Sequence, residues 1–198
     1  MQYCKICLTP NTRQNVKIGS DGICNACKGH LKKKSHINWV EREKKFKEIV
    51  IEAKKSSQGY DCIVPVSGGK DSWYQIIKCK EYGLNVLGVT WKTPARTKIG
   101  QDNIESMLKN LNIDHIDYSI SHLTEKKFMV KAYEKLGDPG ISFHMGVYTI
   151  PYRIAVQMKI PLIIWGENPQ LEYGGNSQEQ LKAVVDDKWM KKHGCMQG

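Results

Sequence analysis

Apolar residues follow two rhythms along this chain. From Tyr60 onward they come as short runs, such as Cys62-Ile63-Val64 and Leu162-Ile163-Ile164-Trp165, separated by stretches in which they return every three or four positions. The runs predict strands near residues 61–66, 85–91, 115–120 and 161–166. The helical spacing predicts helices over 71–82, 101–111, 123–136 and 146–158. Pro151 is expected near the start of the last helix, or at a kink within it. Strands alternating with helices predict an α/β fold with a Rossmann-like parallel sheet, both faces covered and crossovers right-handed. Ligands of such folds bind beyond the carboxyl ends of the strands.

Before Tyr60 the pattern is different. Residues 1–30 have few periodic hydrophobics and many turn formers, including Thr9-Pro10-Asn11 and Gly19-Ser20-Asp21-Gly22, so they cannot bury a core of their own. Asn38 with Glu41 three residues on is a helix-capping pattern, and Trp39, Val40, Phe46, Ile49, Val50 and Ala53 repeat at helical spacing behind it. Ser56-Ser57-Gln58-Gly59 breaks that helix. The expected layout is a small unit over 1–30, a linking amphipathic helix over 31–58 and an α/β domain over 59–198.

Composition changes this picture in two places. The formal net charge is +10, and between Lys28 and Lys55 ten Lys/Arg face four Glu. Most such runs are solvated helix faces; a phosphate-bearing substrate or RNA is the other reading. Apolar runs are too short to cross a bilayer, and no apolar stretch behind basic residues marks a secretory signal, so a cytoplasmic protein with no membrane partner is expected.

Seven cysteines in such a chain point to metal or reactive thiols before disulfides. Cys4-x2-Cys7 and Cys24-x2-Cys27 have zinc-ribbon spacing. Each pair places two thiolates on one side of a tight knuckle, and two knuckles complete a tetrahedral site. With four thiolates no position is left for water, so the expected Zn²⁺ is structural and orders residues 1–30. A Cys3His set using His30 is the variant reading. Cys62, Cys79 and Cys195 are scattered and read as structural.

Ser67-Gly68-Gly69-Lys70-Asp71-Ser72 lies between the first strand of the α/β region and its first helix. It is not a Walker loop, because Val64 stands where the first glycine is required and Asp71 follows the lysine. It still has the makings of an anion site. Gly68 and Gly69 admit close backbone approach, helix amides open toward a ligand, and Lys70, Ser67 and Ser72 add a charge and two hydroxyls. Asp71 would repel a phosphate unless it caps the helix or meets Mg²⁺.

The hexapeptide resembles the signature of the PP-loop ATP pyrophosphatases, which cleave ATP between the α and β phosphates and adenylate an oxygen. Over residues 4 to about 175 the chain further resembles the N-acetyl sugar amidotransferase family of surface-polysaccharide and nonulosonic-acid biosynthesis. The stretches that carry this are "YCKIC", "GICNAC", "INW", "YDCIVPVSGGKDS", "LGDPG", "HMGVYTIPYRIA" and "IPLIIWGENPQLEYGG". The last discriminates best, since tRNA-modifying branches usually carry Gly-His-Asn-x-x-Asp there. Those branches also use further cysteines, and none lies between Cys79 and Cys195. Members of the amidotransferase family are longer, and the resemblance stops where this chain stops.

The resemblance implies that an acetamido oxygen of a nucleotide-linked N-acetyl sugar attacks ATP, and that ammonia from a separate glutaminase then displaces AMP. It implies a pyrophosphate site at Ser67, Gly68, Gly69, Lys70, Asp71 and Ser72, with Lys70, Asp71 and Glu167 as catalytic candidates. Val89, Thr90 and Trp91 would meet the adenine, largely through backbone, and Gly166 and Asn168 would face the same crevice. Glu167 or Glu172 would serve Mg²⁺ or the sugar, with His144 and Arg153 as further sugar candidates. On this reading nucleic acid is not the partner. A tRNA-modifying enzyme of thiolation or lysidine type, or a non-catalytic zinc- and nucleotide-binding module, are the alternatives.

Overall fold

A computed structural model describes residues 1–13, 16–36 and 38–166. These fall into two compact units that divide between Phe46 and Lys47, within a single helix.

The first unit begins with two tight knuckles. In one, Tyr3 bridges Pro10 in antiparallel fashion and the Leu8 amide closes onto the Cys4 carbonyl at 2.9 Å. In the other, Ile18 bridges Cys24, and Gly22 turns the chain at φ +78°. A Cβ on Gly22 would stand 2.6 Å from Lys5 Cε, so glycine serves both the turn and the close approach. Cys24 leads directly into helix α1 (Asn25–His36), which the hydrophobic pattern did not predict. Helix α2 (Trp39–Ser56) follows, and Asn38 Oδ1 accepts the Glu41 amide at 3.1 Å as the capping pattern required.

The second unit is an α/β layer structure. Strands β1 (Cys62–Pro65), β2 (Val86–Trp91), β3 (Asp114–Tyr118) and β4 (Leu162–Ile163) pair in the order β3-β2-β1-β4, all parallel. Helix α3 (Lys70–Glu81) joins β1 to β2, and α4 (Lys98–Leu111) joins β2 to β3. Helices α5 (His122–Leu136) and α6 (Ile141–Met158) lie between β3 and β4. Strand β2 is buried along its whole length, as a central strand of a covered parallel sheet must be.

Alternate side chains feed two cores. Ile63, Leu87, Val89 and Trp91 pack with Ile150, Ile154 and Ala155 of α6. On the opposite face are Cys62 and Val64, with Ile76 and Cys79 of α3 also buried. Cys62 and Cys79 share a hydrogen bond, which together with burial pushes the Cys62 thiol up, so it stays an inert neutral group.

Several element ends differ from expectation. Helix α4 starts at Lys98 rather than 101, because Thr97 Oγ1 accepts the Gly100 amide at 3.1 Å and carries the helix through that glycine. Helix α6 starts at Ile141 rather than 146, with Pro151 well inside it and buried. Gly146 is the point where that helix meets the Trp91 indole. Strand β3 ends at Tyr118 rather than 120, and the ladder of β4 is confined to Leu162–Ile163.

Candidate functional site

The fold brings the loop 66–69 to the carboxyl end of β1, next to the end of β2. Val66 is the last residue in register, its amide bonded to the Val89 carbonyl at 2.8 Å. The chain then turns through Gly68 at φ +77°, and α3 opens at Lys70. A Cβ on Gly68 would lie 2.8 Å from Ile104 Cγ1 and 3.5 Å from Asn103 Cβ, so the first turns of α4 press against this glycine. Ser67 and Gly69 are exposed, and Ser67 Oγ accepts the Gly69 amide at 3.3 Å.

The first helical amide to find its partner four residues back is that of Trp73, on the Gly69 carbonyl at 3.3 Å. The amides of Lys70, Asp71 and Ser72 are therefore left at the open end of α3. Lys70 Nζ pairs with both Asp71 oxygens, at 2.8 and 3.0 Å, and the two side chains are 87% and 76% exposed. Such a pair is solvated and weakly held, free to exchange for a ligand. Ser72 is buried and donates to the Gly69 carbonyl at 2.9 Å, so its hydroxyl stabilises the loop rather than facing outward.

Val89, Thr90 and Trp91 are buried at the end of β2. The Thr90 hydroxyl donates to the Val66 carbonyl at 2.7 Å and lies 2.8 Å from His115 Nε2. With the hydroxyl proton committed to Val66, the Nε2–H of His115 is the donor to Thr90. Burial lowers the His115 pKa, so the ring is neutral near pH 7. Trp91 stacks on Tyr118 with ring centres 6.1 Å apart. What β2 presents beyond the sheet edge is therefore backbone rather than these three side chains.

Gly166 lies beside α3: a Cβ there would meet Gln75 Oε1 at 2.7 Å, and Gln75 donates to the Ile164 carbonyl at 3.2 Å. His144 is exposed in the first turns of α6 against Phe143, and Arg153 is exposed on the same helix. Glu167, Asn168 and Glu172 lie outside the described residues. Sequence reasoning did not foresee the approach of Ile104 and Asn103 to Gly68, which only the packing of α4 brings about.

Beyond β2 and β3 a polar cleft of about 610 Å³ is lined by Lys92, Arg96, Lys98, Gln101, Glu105 and His122 among others. Its floor is fixed by Arg96, which grips Asp117 at the end of β3 through two bonds of 2.6 Å. Burial opposes the Asp117 charge, but the Arg96 guanidinium, followed by His115 and Lys92, outweighs it and holds the carboxyl below its usual range.

In the first unit the Sγ atoms of Cys4, Cys7, Cys24 and Cys27 all lie within 4.8 Å of one another. The Cys4–Cys27 and Cys7–Cys24 separations are 3.9 and 3.6 Å. A tetrahedron of sulfurs about 2.3 Å from a central Zn²⁺ has edges of about 3.8 Å, so the set fits such an ion. Backbone amides support it: those of Ile6 and Cys24 approach Cys4 Sγ at 3.5 and 3.3 Å, and that of Cys27 approaches Cys24 Sγ at 3.4 Å. Amide donors lower the Cys4 pKa to about 6. Hydrogen bonding to Cys7, then burial, push Cys27 up to about 12. His30 is not among the clustered donors.

No family model matches the chain. An uncharacterised protein of Methanocaldococcus jannaschii is 31% identical over 113 residues, which cover 56% of this chain and 40% of that relative. Among solved structures, the chain is similar to an NH3-dependent NAD synthetase from Campylobacter jejuni (TM-score 0.49, 21% identity, covering 67% of this chain and 58% of that one). It is also similar to an NMN synthetase from Francisella tularensis (TM-score 0.49, 20% identity, 67% and 56%). A tRNA thiolase from Methanococcus maripaludis shares 14% identity at a TM-score of 0.43, over 85% of this chain and 55% of that one. The chain thus spans well under two thirds of the length of each.

Among the described residues, no helix is long and apolar enough to cross a membrane.

Proposed function

We propose that this chain binds ATP through the 67–72 loop and splits it between the α and β phosphates, as a PP-loop enzyme of the adenine nucleotide alpha hydrolase type. One observation carries the reading. A left-handed glycine, Gly68, turns the chain from the carboxyl end of β1 so that α3 opens its free amides to the crevice of a parallel sheet. Free amides at a helix start favour an anion, and the Lys70 ammonium adds a mobile charge to it. The motif Ser-Gly-Gly-Lys-Asp-Ser lacks the Walker spacing, and its resemblance to the PP-loop signature supports pyrophosphate over a γ-phosphoryl group.

In this reading Ser67, Gly68, Gly69, Lys70 and the amides of Asp71 and Ser72 hold the departing pyrophosphate. The backbone at Val89, Thr90 and Trp91, and that at Gly166, flank the adenosine, with Asn168 as a further residue to test. Mg²⁺ would neutralise phosphate charge, and the exposed Asp71 carboxylate is the oxygen donor suited to it. The all-thiolate set of Cys4, Cys7, Cys24 and Cys27 holds a structural Zn²⁺. The domain layout is a zinc ribbon over 1–30, a linking helix over 31–58 and the ATP-binding domain over 59–198.

The acceptor we propose is the acetamido group of a nucleotide-linked N-acetyl sugar. Its carbonyl oxygen attacks the α-phosphate, pyrophosphate leaves, and ammonia then adds to the imidate carbon as AMP departs with the oxygen. Adenylation turns a poor leaving group into a good one, so the protein's work is alignment and charge stabilisation. Ammonia would come from a separate glutaminase. The stretch "IPLIIWGENPQLEYGG" supports this acceptor, with Glu167, Glu172, His144 and Arg153 as residues to test. The net charge of +10 and the cysteine ribbon support a second reading, in which the acceptor is a tRNA base.

Incubation with ATP, ammonium and candidate UDP-N-acetyl sugars, followed by mass spectrometry, separates the two. A sugar product in which NH replaces one oxygen supports the first acceptor. ATP turnover stimulated by tRNA, in a salt-sensitive manner, and not by any sugar overturns it.

A further inference from the structure

We propose that Thr90 and His115 are positioning residues for the anion loop, keeping the Lys70 amide free for the ligand. The inference rests on the reading of that loop as a pyrophosphate site. In a continuing α-helix the Lys70 amide would bond to the carbonyl four residues back, which belongs to Val66. That carbonyl is occupied: the Thr90 hydroxyl donates to it at 2.7 Å. Val66 is therefore held on both sides by β2, its amide on Val89 and its oxygen on Thr90. The chain leaves the sheet from this clamped peptide, turns at Gly68, and starts α3 with its first amides unspent.

His115 completes the clamp. Its Nε2–H is 2.8 Å from Thr90 Oγ1 and fixes the rotamer that aims the hydroxyl at Val66. The ring has a place there because Gly88, one strand over, has no side chain: a Cβ on it would stand 3.4 Å from His115 Cδ2 and 3.3 Å from Ile113 Cδ1. Three strands thus act on one carbonyl, β3 through His115, β2 through Thr90 and β1 through Val66. Thr90 is buried and acts through the backbone it holds, with His115 acting through Thr90.

Without the Thr90 hydroxyl, the Val66 carbonyl has two courses. It stays buried without a donor, or it draws the Lys70 amide into an extra helical bond that removes one ligand amide. Both weaken the anion site. The test is isothermal titration of inorganic pyrophosphate into the full chain and into Thr90→Val and Thr90→Ser, with a thermal melt of each. Thr90→Val keeps the shape and removes the donor, and its pyrophosphate dissociation constant is expected to rise about tenfold. Thr90→Ser restores the donor and should bind within about twofold of the parent.

Should Thr90→Val not fold, His115→Leu supplies the same comparison, with His115→Gln as its donor-retaining partner. Equal pyrophosphate affinity in the parent and Thr90→Val overturns the positioning role while leaving the loop's function intact. An equal loss in Thr90→Val and Thr90→Ser also overturns it. A parent protein that does not bind pyrophosphate overturns both the role and the reading beneath it.

Discussion

A Cβ added to Gly146 would stand 2.5 Å from Cδ2 and Cε2 of Trp91, so the indole occupies the space that any other residue at 146 would need. Helix propensity alone favours alanine over glycine by about 1 kcal/mol in a helix interior. Overpacking against a ring buried on every side costs about 1–3 kcal/mol. Gly146→Ala is therefore expected to lower stability by up to about 2 kcal/mol, net of propensity, in a denaturant melt. A variant more stable than the parent would show that the indole is free to move.

The two loop glycines should respond differently. Gly68→Ala faces both a left-handed backbone, about 1–2 kcal/mol for an L-residue, and contact with Ile104. Gly69 has φ −80°, and its nearest obstacle is Ser67 Oγ at 3.3 Å. Pyrophosphate titration should show Gly68→Ala losing affinity by more than about tenfold and Gly69→Ala losing less. The reverse order would mean that the loop binds in another conformation.

The Arg96–Asp117 pair gives a pH signature. The folded-state pKa of Asp117 lies below its unfolded value, so its contribution is complete above the ordinary carboxylate range and lost as pH falls through the folded value. Asp117→Asn leaves a guanidinium that is only 10% exposed without its counter-charge, held by Gln101 alone among its charged or amide partners at 2.9 Å, and is expected to cost about 2 kcal/mol at pH 7. The gap between parent and variant, followed by denaturant melts, should shrink below about pH 4, where the parent's carboxyl takes up its proton. A gap that does not shrink below about pH 4 would contradict the assignment.

Metal uptake by the cysteine cluster should release protons. Amide donors hold Cys4 at about 6, so it is largely a thiolate at neutral pH, whereas Cys27, at about 12, keeps its proton until a cation arrives. Titrating Zn²⁺ into chelator-treated protein in buffers of different ionisation enthalpy should reveal proton release at pH 7.5. Cys4→Ser should reduce bound zinc, measured by elemental analysis, to well below one equivalent. Full occupancy in that variant would remove Cys4 from the ligand set.

Much of the second unit was legible because covered parallel strands must be nearly continuous apolar runs. Cys62-Ile63-Val64 and the stretch Val86–Trp91 announce themselves that way. Helix α1 did not, since "NACKGHLKKKSH" has no apolar face to detect, and the Cys24 knuckle rather than a core fixes where it starts. Helices α4 and α6 each carry a glycine, at 100 and 146. One is carried by the Thr97 cap and the other is demanded by Trp91, and both reasons lie outside the local pattern. The turn from β1 into α3 was readable from its own six residues. The contacts of Thr90 with His115 and of Gly68 with α4 were not, because they depend on strand register and helix packing between segments distant in sequence.

The central claim is cleavage of ATP between its α and β phosphates at the 67–72 loop. Identification of the nucleotide products by chromatography, after incubation with ATP, Mg²⁺, ammonium and a UDP-N-acetyl sugar, tests it most directly. The account predicts AMP and pyrophosphate in equal amounts, abolished in Gly68→Ala. Formation of ADP and inorganic phosphate instead would contradict it.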